Sequence, residues 1–304
     1  MCGIVGLYLK NPELDARLGR LFVPMLVEMT DRGPDSAGFA IYHDAAQPGR
    51  AKVTAFHPDP GFDWPGAAAA AERAVGQAVE ARVADTHCVL ESGADPAALA
   101  EALEAQDQRL QVVSVGELIE IYKEVGTPEC VAKRFRLEEM TGSHIIGHTR
   151  MATESAVTTA GSHPFSTGRD LCLVHNGSLS NHNNLRAWLS AHRGIRFRTE
   201  NDTEVGAAYI TSRLAEGRSL HEALEDCLGA LDGFYTFVAG TRDGFAVLRD
   251  PIACKPAVLA ETEDYVAFAS EYRALARLPG IDGARVWEPE PATVYSWGGR
   301  KHAA

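Results

Sequence analysis

Cys2-Gly3-Ile4-Val5-Gly6-Leu7-Tyr8-Leu9 follows Met1 at the start of the chain. The run is apolar after its cysteine and ends at a Lys-Asn-Pro turn, which predicts a buried strand. If Met1 is removed, Cys2 carries both a thiol and a free α-amino group. A thiol nucleophile needs a base, and an α-amine with a pKa of about 7.7–8.0 is partly neutral at neutral pH. The stretch therefore predicts an N-terminal nucleophile, or else a cysteine that merely starts a buried strand.

The composition is that of a globular protein with one large domain or two ordinary ones. The 304 residues are 45% hydrophobic and 23% charged, with a formal net charge of −12. Because Lys and Arg form no cluster, we expect no nucleic-acid partner. No signal peptide and no apolar run of membrane-spanning length is evident, so we expect a cytoplasmic protein without a membrane partner. The six cysteines form no Cys-x-x-Cys pair, which disfavours a zinc ribbon.

The middle of the chain differs from its two flanks in its pattern of predicted helices and strands. Between 57 and 141, helical and strand patterns alternate, which predicts a small α/β insertion. Helices are predicted at 66–82, 95–107 and 116–125, and strands at 86–90 and 110–115. The segment shows no catalytic constellation, and we interpret it as a packing or partner-docking unit.

After residue 143, short apolar strands are separated by Gly- and Asp-containing turns, a pattern typical of antiparallel hairpins. Helices are predicted between them, at about 180–192, 202–216 and 219–229. Strands and helices of this kind must stack in layers to bury their apolar faces. We therefore expect an α+β fold.

Three polar clusters follow apolar strands, at 147–154, 174–178 and 200–205. Functional side chains are often placed where strands end. Asn176 and Gly177 offer a side-chain amide and a main-chain N–H, which are suitable donors for the oxyanion formed when a thiol attacks a carboxamide. The alternative for this Asn-Gly pair is an ordinary hairpin turn.

Charged residues near these clusters suit an amino-acid substrate. Arg150 matches a carboxylate through its bidentate guanidinium group, and Asp202 matches an ammonium group by charge. Asp202 also precedes a predicted helix, so helix capping is its alternative role. Arg32 lies in a turn-rich patch at 31–36, where a surface ion pair is the alternative.

The histidines of the polar segments do not have the spacing of a metal site. They are His148, His163 and His175. We expect no metal in this chain and interpret these side chains as core or supporting residues.

Five motifs in a fixed order resemble the class II glutamine amidotransferases, which are N-terminal-nucleophile (Ntn) hydrolases. The motifs are Cys2-Gly3-Ile4-Val5-Gly6, Arg32-Gly33-Pro34-Asp35-Ser36-Ala37-Gly38, His148-Thr149-Arg150, His175-Asn176-Gly177 and Asp202-Thr203-Glu204. The resemblance covers nearly the whole chain apart from the insertion. It implies a four-layer αββα sandwich of two antiparallel sheets. It also implies hydrolysis of L-glutamine to L-glutamate and ammonia.

The resemblance also implies roles for individual residues. Cys2 corresponds to the nucleophile with its α-amine as base, and Asn176 and Gly177 correspond to the oxyanion donors. The implied substrate-binding residues are Arg150, Asp202, Thr153 and His163. Arg32 corresponds to a residue that supports the nucleophile loop.

The motif wording is most similar to the stand-alone glutaminase subunits of split glutamate synthases and N-methylglutamate synthase. This implies one or more partner synthase subunits that accept the ammonia. FMN and iron–sulfur centres are expected only in those partners, with no cofactor in this chain. Met151 departs from the glucosamine-phosphate synthase branch, which usually has Trp there. Two alternatives stay open: a non-catalytic scaffold subunit, and an Ntn amidase acting on another γ-glutamyl amide.

Overall fold

The computed structural model of the protein describes residues 2–43, 45–152 and 156–299. The strands are β1 Gly3–Leu9, β2 Ser36–Tyr42, β3 Ala51–Phe56, β4 Val79–Ala84, β5 His87–Ser92, β6 Gln111–Gly116, β7 Ile119–Val125, β8 His144–Arg150, β9 Cys172–Leu179, β10 Gly233–Thr241, β11 Gly244–Arg249, β12 Val258–Glu261, β13 Tyr265–Ala269, β14 Arg285–Trp287 and β15 Val294–Gly298. The helices are α1 Leu18–Glu28, α2 Trp64–Val75, α3 Pro96–Glu104, α4 Pro128–Arg134, α5 His182–Arg193, α6 Asp202–Ala215 and α7 Leu220–Ala230.

Two antiparallel sheets form the centre of the fold. The larger has seven strands in the order β14-β12-β13-β1-β8-β2-β7, and the smaller has four in the order β15-β11-β10-β9. The chain's first strand lies in the middle of the larger sheet, paired with β13 on one side and β8 on the other. The apolar run after Cys2 is therefore buried on both faces, as its sequence predicts.

Three hydrophobic clusters separate the layers. One lies between the two sheets and includes Ile4, Ile146, Val174 and Phe268. A second packs α1 and α4 on the outer face of the seven-stranded sheet, and a third packs α5, α6 and α7 on the outer face of the four-stranded sheet. The order is helix, sheet, sheet, helix, which confirms the four-layer αββα sandwich of the α+β class.

A further four-stranded sheet, β4-β5-β3-β6, is called the extra sheet below. It lies beside the edge strand β7 and packs on α2 and α3 around its own apolar cluster. Its strands run from Ala51 to Gly116, whereas the sequence-based insertion runs from 57 to 141. The sheet therefore takes in β3, before the expected start. The last third of the expected insertion, with β7 and α4, packs instead as part of the main sandwich.

Two sequence-based elements in this region are wrong. Residues 116–125 are not helical, because β7 pairs with β2 along its whole length, with Ile119 and Ile121 buried between the sheets. The predicted helix at 66–82 ends at Val75, and Gly76 in the left-handed conformation caps it before β4 begins. β7 is buried at every residue except the last, so its burial does not alternate, and its two isoleucines and its tyrosine are the signal for a strand. Gly76 is the signal that ends the Ala-rich helix α2.

The helices predicted after residue 143 agree with α5, α6 and α7 within two residues at each end. Within the described ranges, no helix combines the length and apolar character needed to cross a bilayer.

Candidate active site

A cavity of about 770 Å³ opens where β8 ends, beside the N-terminus of α6. Six of the residues selected from the sequence line it, namely Cys2, Arg150, His163, Asn176, Gly177 and Asp202. Arg32 lies behind Cys2, while Thr153 lies outside the described residues. Residues from five distant segments are therefore brought to one place by the sandwich.

Arg32 contacts the candidate nucleophile as well as forming an ion pair. Its Nε donates to the Cys2 carbonyl oxygen at 3.0 Å, and its Nη1 donates to Glu271 Oε1 at 2.8 Å. Only 8% of Arg32 is exposed. Next along the chain, the Ile4 amide donates to Ser270 Oγ at 2.9 Å. Groups from before β2 and after β13 thus fix the backbone around Cys2.

Arg150 is the last residue of β8, and its buried side chain reaches the cavity. Its Nη1 donates to the carbonyl of Ala156 at 3.3 Å. Asp35 braces the backbone just beyond, because its Oδ2 accepts from the Ala152 amide at 2.8 Å. The turn at 31–36 therefore supports both Cys2 and the segment that follows Arg150.

Asn176 and Gly177 do not form a hairpin turn. They lie inside β9, opposite Thr236 and Tyr235 of β10, so the alternative from the sequence is wrong. Asn176 is 3% exposed, and its Nδ2 has no hydrogen-bond partner among the described residues although it lines the cavity wall with Cys2. An amide donor held in this way is oriented before any substrate binds.

Asp202 is not the cap of α6. Asn201 caps the helix, because its Oδ1 accepts from the Thr203 amide at 2.9 Å. Asp202 instead accepts from the Leu179 amide at 2.9 Å through Oδ2 and lies 3.6 Å from His175 Nδ1 through Oδ1. Burial opposes its charge, but His175 and the Leu179 N–H outweigh burial and lower the pKa of Asp202 to about 2. A permanent negative charge therefore faces the cavity.

The three histidines form one network below the cavity, which the sequence did not indicate. Thr203 Oγ1 lies 2.7 Å from His163 Nε2 and 3.0 Å from His175 Nδ1. His148 stacks on His163 with ring centroids 3.9 Å apart and donates through Nε2 to the His175 carbonyl at 3.0 Å. Both contacts of Thr203 are hydrogen bonds when His175 carries its proton on Nδ1 and Thr203 donates to His163. The second ring nitrogen of each histidine has no hydrogen-bond partner among the described residues.

Burial keeps two of these rings neutral. It lowers the pKa of His148 to about 3 and the pKa of His163 well below its usual value. In the described ranges, no group of three or more His, Cys, Asp or Glu side chains is arranged to hold a metal ion. These imidazoles serve as hydrogen-bonding supports for the cavity floor.

Glu204 gives the third motif a structural role that sequence reasoning missed. Its two carboxylate oxygens accept from the amides of Arg198 and Thr199, both at 2.8 Å. These bonds fold the segment before α6 into the cavity wall. The motif Asp202-Thr203-Glu204 contained this signal, because polar residues at a helix start that become buried, as Thr203 and Glu204 do, need partners.

Comparison with known proteins places the chain in a family. Residues 148–277 match the family described as a glutamine amidotransferase domain. The chain is 58% identical over 307 residues to the glutamine amidotransferase-like protein GlxB of Rhizobium meliloti, and the match covers 100% of both chains. It is 32% identical over 309 residues to a putative glutamine amidotransferase of Methanothermobacter thermautotrophicus, covering 97% of this chain and 99% of that one.

The chain belongs to the class II glutamine amidotransferases. This is a family of enzymes with an N-terminal cysteine nucleophile and glutamine as substrate, and Cys2 is present at that place.

Solved structures share the fold of this glutamine amidotransferase. An allosteric regulatory enzyme of purine biosynthesis aligns with a TM-score of 0.63 at 20% identity, over 98% of this chain and 47% of that one. Glutamine phosphoribosylpyrophosphate amidotransferase of B. subtilis, complexed with ADP and GMP, aligns with a TM-score of 0.60 at 19% identity, over 98% and 49%. The chain thus spans about half the length of these two proteins, but all of GlxB.

Proposed function

We propose that the protein is a glutaminase subunit that hydrolyses L-glutamine through a Cys2 thioester and supplies the ammonia to a separate synthase chain. The observation that supports this most is the single cavity shared by Cys2, a positive side chain, a negative side chain and an unpartnered buried amide. Nucleophile, substrate clamps and oxyanion donor are the parts that amide hydrolysis requires.

The clamps select an α-amino acid. Arg150 lies at the end of β8 and Asp202 at the start of α6, so a positive and a negative group face the cavity from two different elements. The charged residues Arg198, Glu200 and Lys255 also line it. We assign Arg150 to the substrate α-carboxylate and Asp202 to its α-ammonium group. A γ-carboxamide on the same substrate then extends toward Cys2.

The chemistry takes two steps. After removal of Met1, the free α-amine of Cys2 accepts the thiol proton while Sγ attacks the γ-carbonyl carbon of glutamine. The tetrahedral intermediate collapses to a thioester. The C–N bond breaks as the α-ammonium group of Cys2 donates that proton to the amide nitrogen, which leaves as ammonia. Water then attacks the thioester, restores the thiol and releases glutamate.

Asn176 and Gly177 stabilise the oxyanion in both steps. The buried amide Nδ2 of Asn176 has no hydrogen-bond partner among the described residues, and Gly177 adds the main-chain N–H of the next residue. Donors that are fixed before reaction need no reorganisation when charge develops on the carbonyl oxygen.

The surface around the cavity supports a partner chain. Met151 and Phe234 line the mouth, and Val157 lies between two further lining residues, Ala156 and Thr158. Met151, Phe234 and Val157 are each more than a third exposed. Exposed apolar side chains grouped at a site entrance favour a protein interface. We assign the interface to a glutamate synthase-like or N-methylglutamate synthase chain that carries its own FMN and iron–sulfur centres.

Ammonia release from L-glutamine tests the proposal. We expect the protein, alone or in its native complex, to release ammonia, and Cys2→Ala to release none while keeping its fold by circular dichroism. Cys130→Ala, at an exposed cysteine on α4, is the control and is expected to keep full activity. Full activity in Cys2→Ala would contradict the thioester. Hydrolysis of another γ-glutamyl amide but not of glutamine would favour the amidase alternative.

A further inference from the structure

The edge strand β7 carries a buried lysine directly behind the wall of the glutamine cavity. Lys123 is 5% exposed, and its Nζ donates to the carbonyl of Ser162 at 2.8 Å and to those of Ala160 and Pro164 at 3.3 Å. One side chain therefore holds three alternate carbonyls of a single loop. None of the sequence motifs includes this residue.

The ammonium group is held by dipoles rather than by a paired carboxylate. Nζ lies 4.6 Å from the centroid of the Phe165 ring. Burial lowers the pKa of Lys123 to about 7, opposed by the charge of Glu204 and assisted by that of Arg198. His163 and His87 also lie within its electrostatic reach. A buried amine without an ion pair among the described residues is unfavourable by itself, and the hydrogen bonds to the three loop carbonyls offset the cost of its burial.

The loop that Lys123 holds is part of the site. Ala160, Gly161 and His163 line the glutamine cavity, whereas Lys123 does not. The Gly161 carbonyl also accepts from Asn201 Nδ2 at 3.3 Å, which links the loop to the residue before Asp202. Movement of this loop therefore displaces both His163 and the start of α6.

Glu124, the next residue on β7, binds the same loop from the opposite face of the sheet. Glu124 Oε1 accepts from Thr159 Oγ1, and its Oε2 accepts from Thr86 Oγ1 of the extra sheet at 3.1 Å. Arg134 of α4 lies 3.5 Å from the same carboxylate. Two consecutive residues of one strand thus fix residues 159–164 from both faces.

We propose that Lys123 is a positioning residue for the glutamine site, which holds the loop at 160–164 against β7 and thereby sets the cavity wall that carries His163. This rests on the proposed function, because the loop matters only if glutamine binds beside it. Lys123 acts through the loop and does not touch the substrate.

Lys123→Met tests the proposal, since methionine keeps the length but removes all three donors. We expect KM for glutamine to rise, and kcat/KM to fall by up to about 100-fold, because small displacements in a site have effects of this order. Lys133→Met is the matched control, because the Lys133 side chain is 76% exposed on α4 and forms an ion pair with Glu129 of the same helix. A merely structural role lowers the folded fraction and hence the apparent kcat, but leaves KM unchanged.

A second variant keeps the test decisive if Lys123→Met does not fold. Thr159→Val leaves Lys123 in place and removes the bond between the loop and Glu124, so KM is expected to rise in the same direction. If the wild type is active and the folded variants have the same KM as the wild type, the positioning role of Lys123 is overturned. The proposed function is not affected by that result. A wild type that neither hydrolyses nor binds glutamine, alone or in its complex, overturns the proposed function, and this inference falls with it.

Discussion

At the scale of single residues, the charges around the cavity are fixed by their neighbours. Asp202 stays negative because His175 and the Leu179 N–H outweigh its burial, while burial holds His148 and His163 neutral. None of these three groups changes charge between pH 5 and 8. Two groups are expected to titrate there. One is the α-amine of Cys2, with an ordinary pKa of about 7.7–8.0, and the other is Lys123 behind the cavity wall, because burial lowers its pKa to about 7.

Asn176→Ala removes one of the two oxyanion donors that we propose. We expect kcat to fall by about 100–1,000-fold with little change in KM, because the donor acts mainly on the developing negative charge. Steady-state ammonia release measures both parameters. Asn183→Ala, on the exposed face of α5, is the control and leaves both unchanged. A large rise in KM with an unchanged kcat would mean that Asn176 binds the ground state instead.

Asp202→Asn alters acid stability in a defined direction. The folded-state pKa of Asp202 lies near 2, below the unfolded value of about 3.9, so its stabilising charge is present above the unfolded pKa and lost as pH falls through the folded one. The stability difference between wild type and variant is expected to shrink by about 2 kcal/mol in total as pH falls from about 5 toward 2. Urea titrations across this range measure it, and a pH-independent difference would contradict the assignment.

At the scale of elements, β9 is both a paired strand of the smaller sheet and part of the cavity wall. Gly177 has φ of +148°, and a Cβ there would meet the Phe234 carbonyl of the paired strand. Gly177→Ala is therefore expected to destabilise the fold by about 1–3 kcal/mol, in addition to its effect on turnover. Gly229→Ala in α7 is the control, because its Cβ meets nothing within 4 Å, and it is expected to stabilise by about 0.5–1 kcal/mol. Denaturant unfolding compares the two, and equal stabilities would refute the strain at Gly177.

Some elements could be predicted from the sequence and others could not, for physical reasons. α5, α6 and α7 have local signals, such as the capping box of Ser219 and Glu222. β7 was mistaken for a helix because Lys123 and Glu124 look like surface residues, whereas both make long-range bonds that only the assembled sheet reveals. The pairing of an edge strand depends on tertiary contacts. When its charged residues bond to distant partners, the local sequence does not indicate a strand.

The candidate site shows the same division between local and assembled properties. The resemblance gave Cys2, Arg150, Asn176, Gly177 and Asp202, which the structure brings to one cavity. It did not give the links made by Thr203 between the histidines, because hydrogen bonds between residues separated by 28 and 40 positions depend on the packed sandwich.

At the scale of the whole molecule, the proposed partner has a measurable effect. Ammonia that leaks into solution does not reach the acceptor site. Loop closure over glutamine is therefore expected to depend on the synthase chain. The isolated subunit should hydrolyse glutamine slowly, and adding the chain that co-purifies with it from the native source should raise kcat or lower KM. If the isolated subunit is already as fast as any complex and no ammonia-using chain co-purifies, an independent amidase is the better account.

Val157→Asp locates that interface. Val157 is 40% exposed beside the cavity mouth, and a charge there is expected to weaken activation by the partner. Val83→Asp is the control, because Val83 is 51% exposed on β4 of the extra sheet. Loss of activation in Val83→Asp but not in Val157→Asp would place the partner on the extra sheet instead.

The covalent intermediate is the most direct test of the account. Protein is mixed with L-glutamine, quenched in acid during turnover and digested, and the N-terminal peptide is examined by mass spectrometry. The account predicts a peptide that begins at Cys2 and carries one γ-glutamyl group on its thiol, which hydroxylamine removes. Ammonia release at full rate from a chain that retains Met1, with no γ-glutamyl group on Cys2 at any time point, would contradict it.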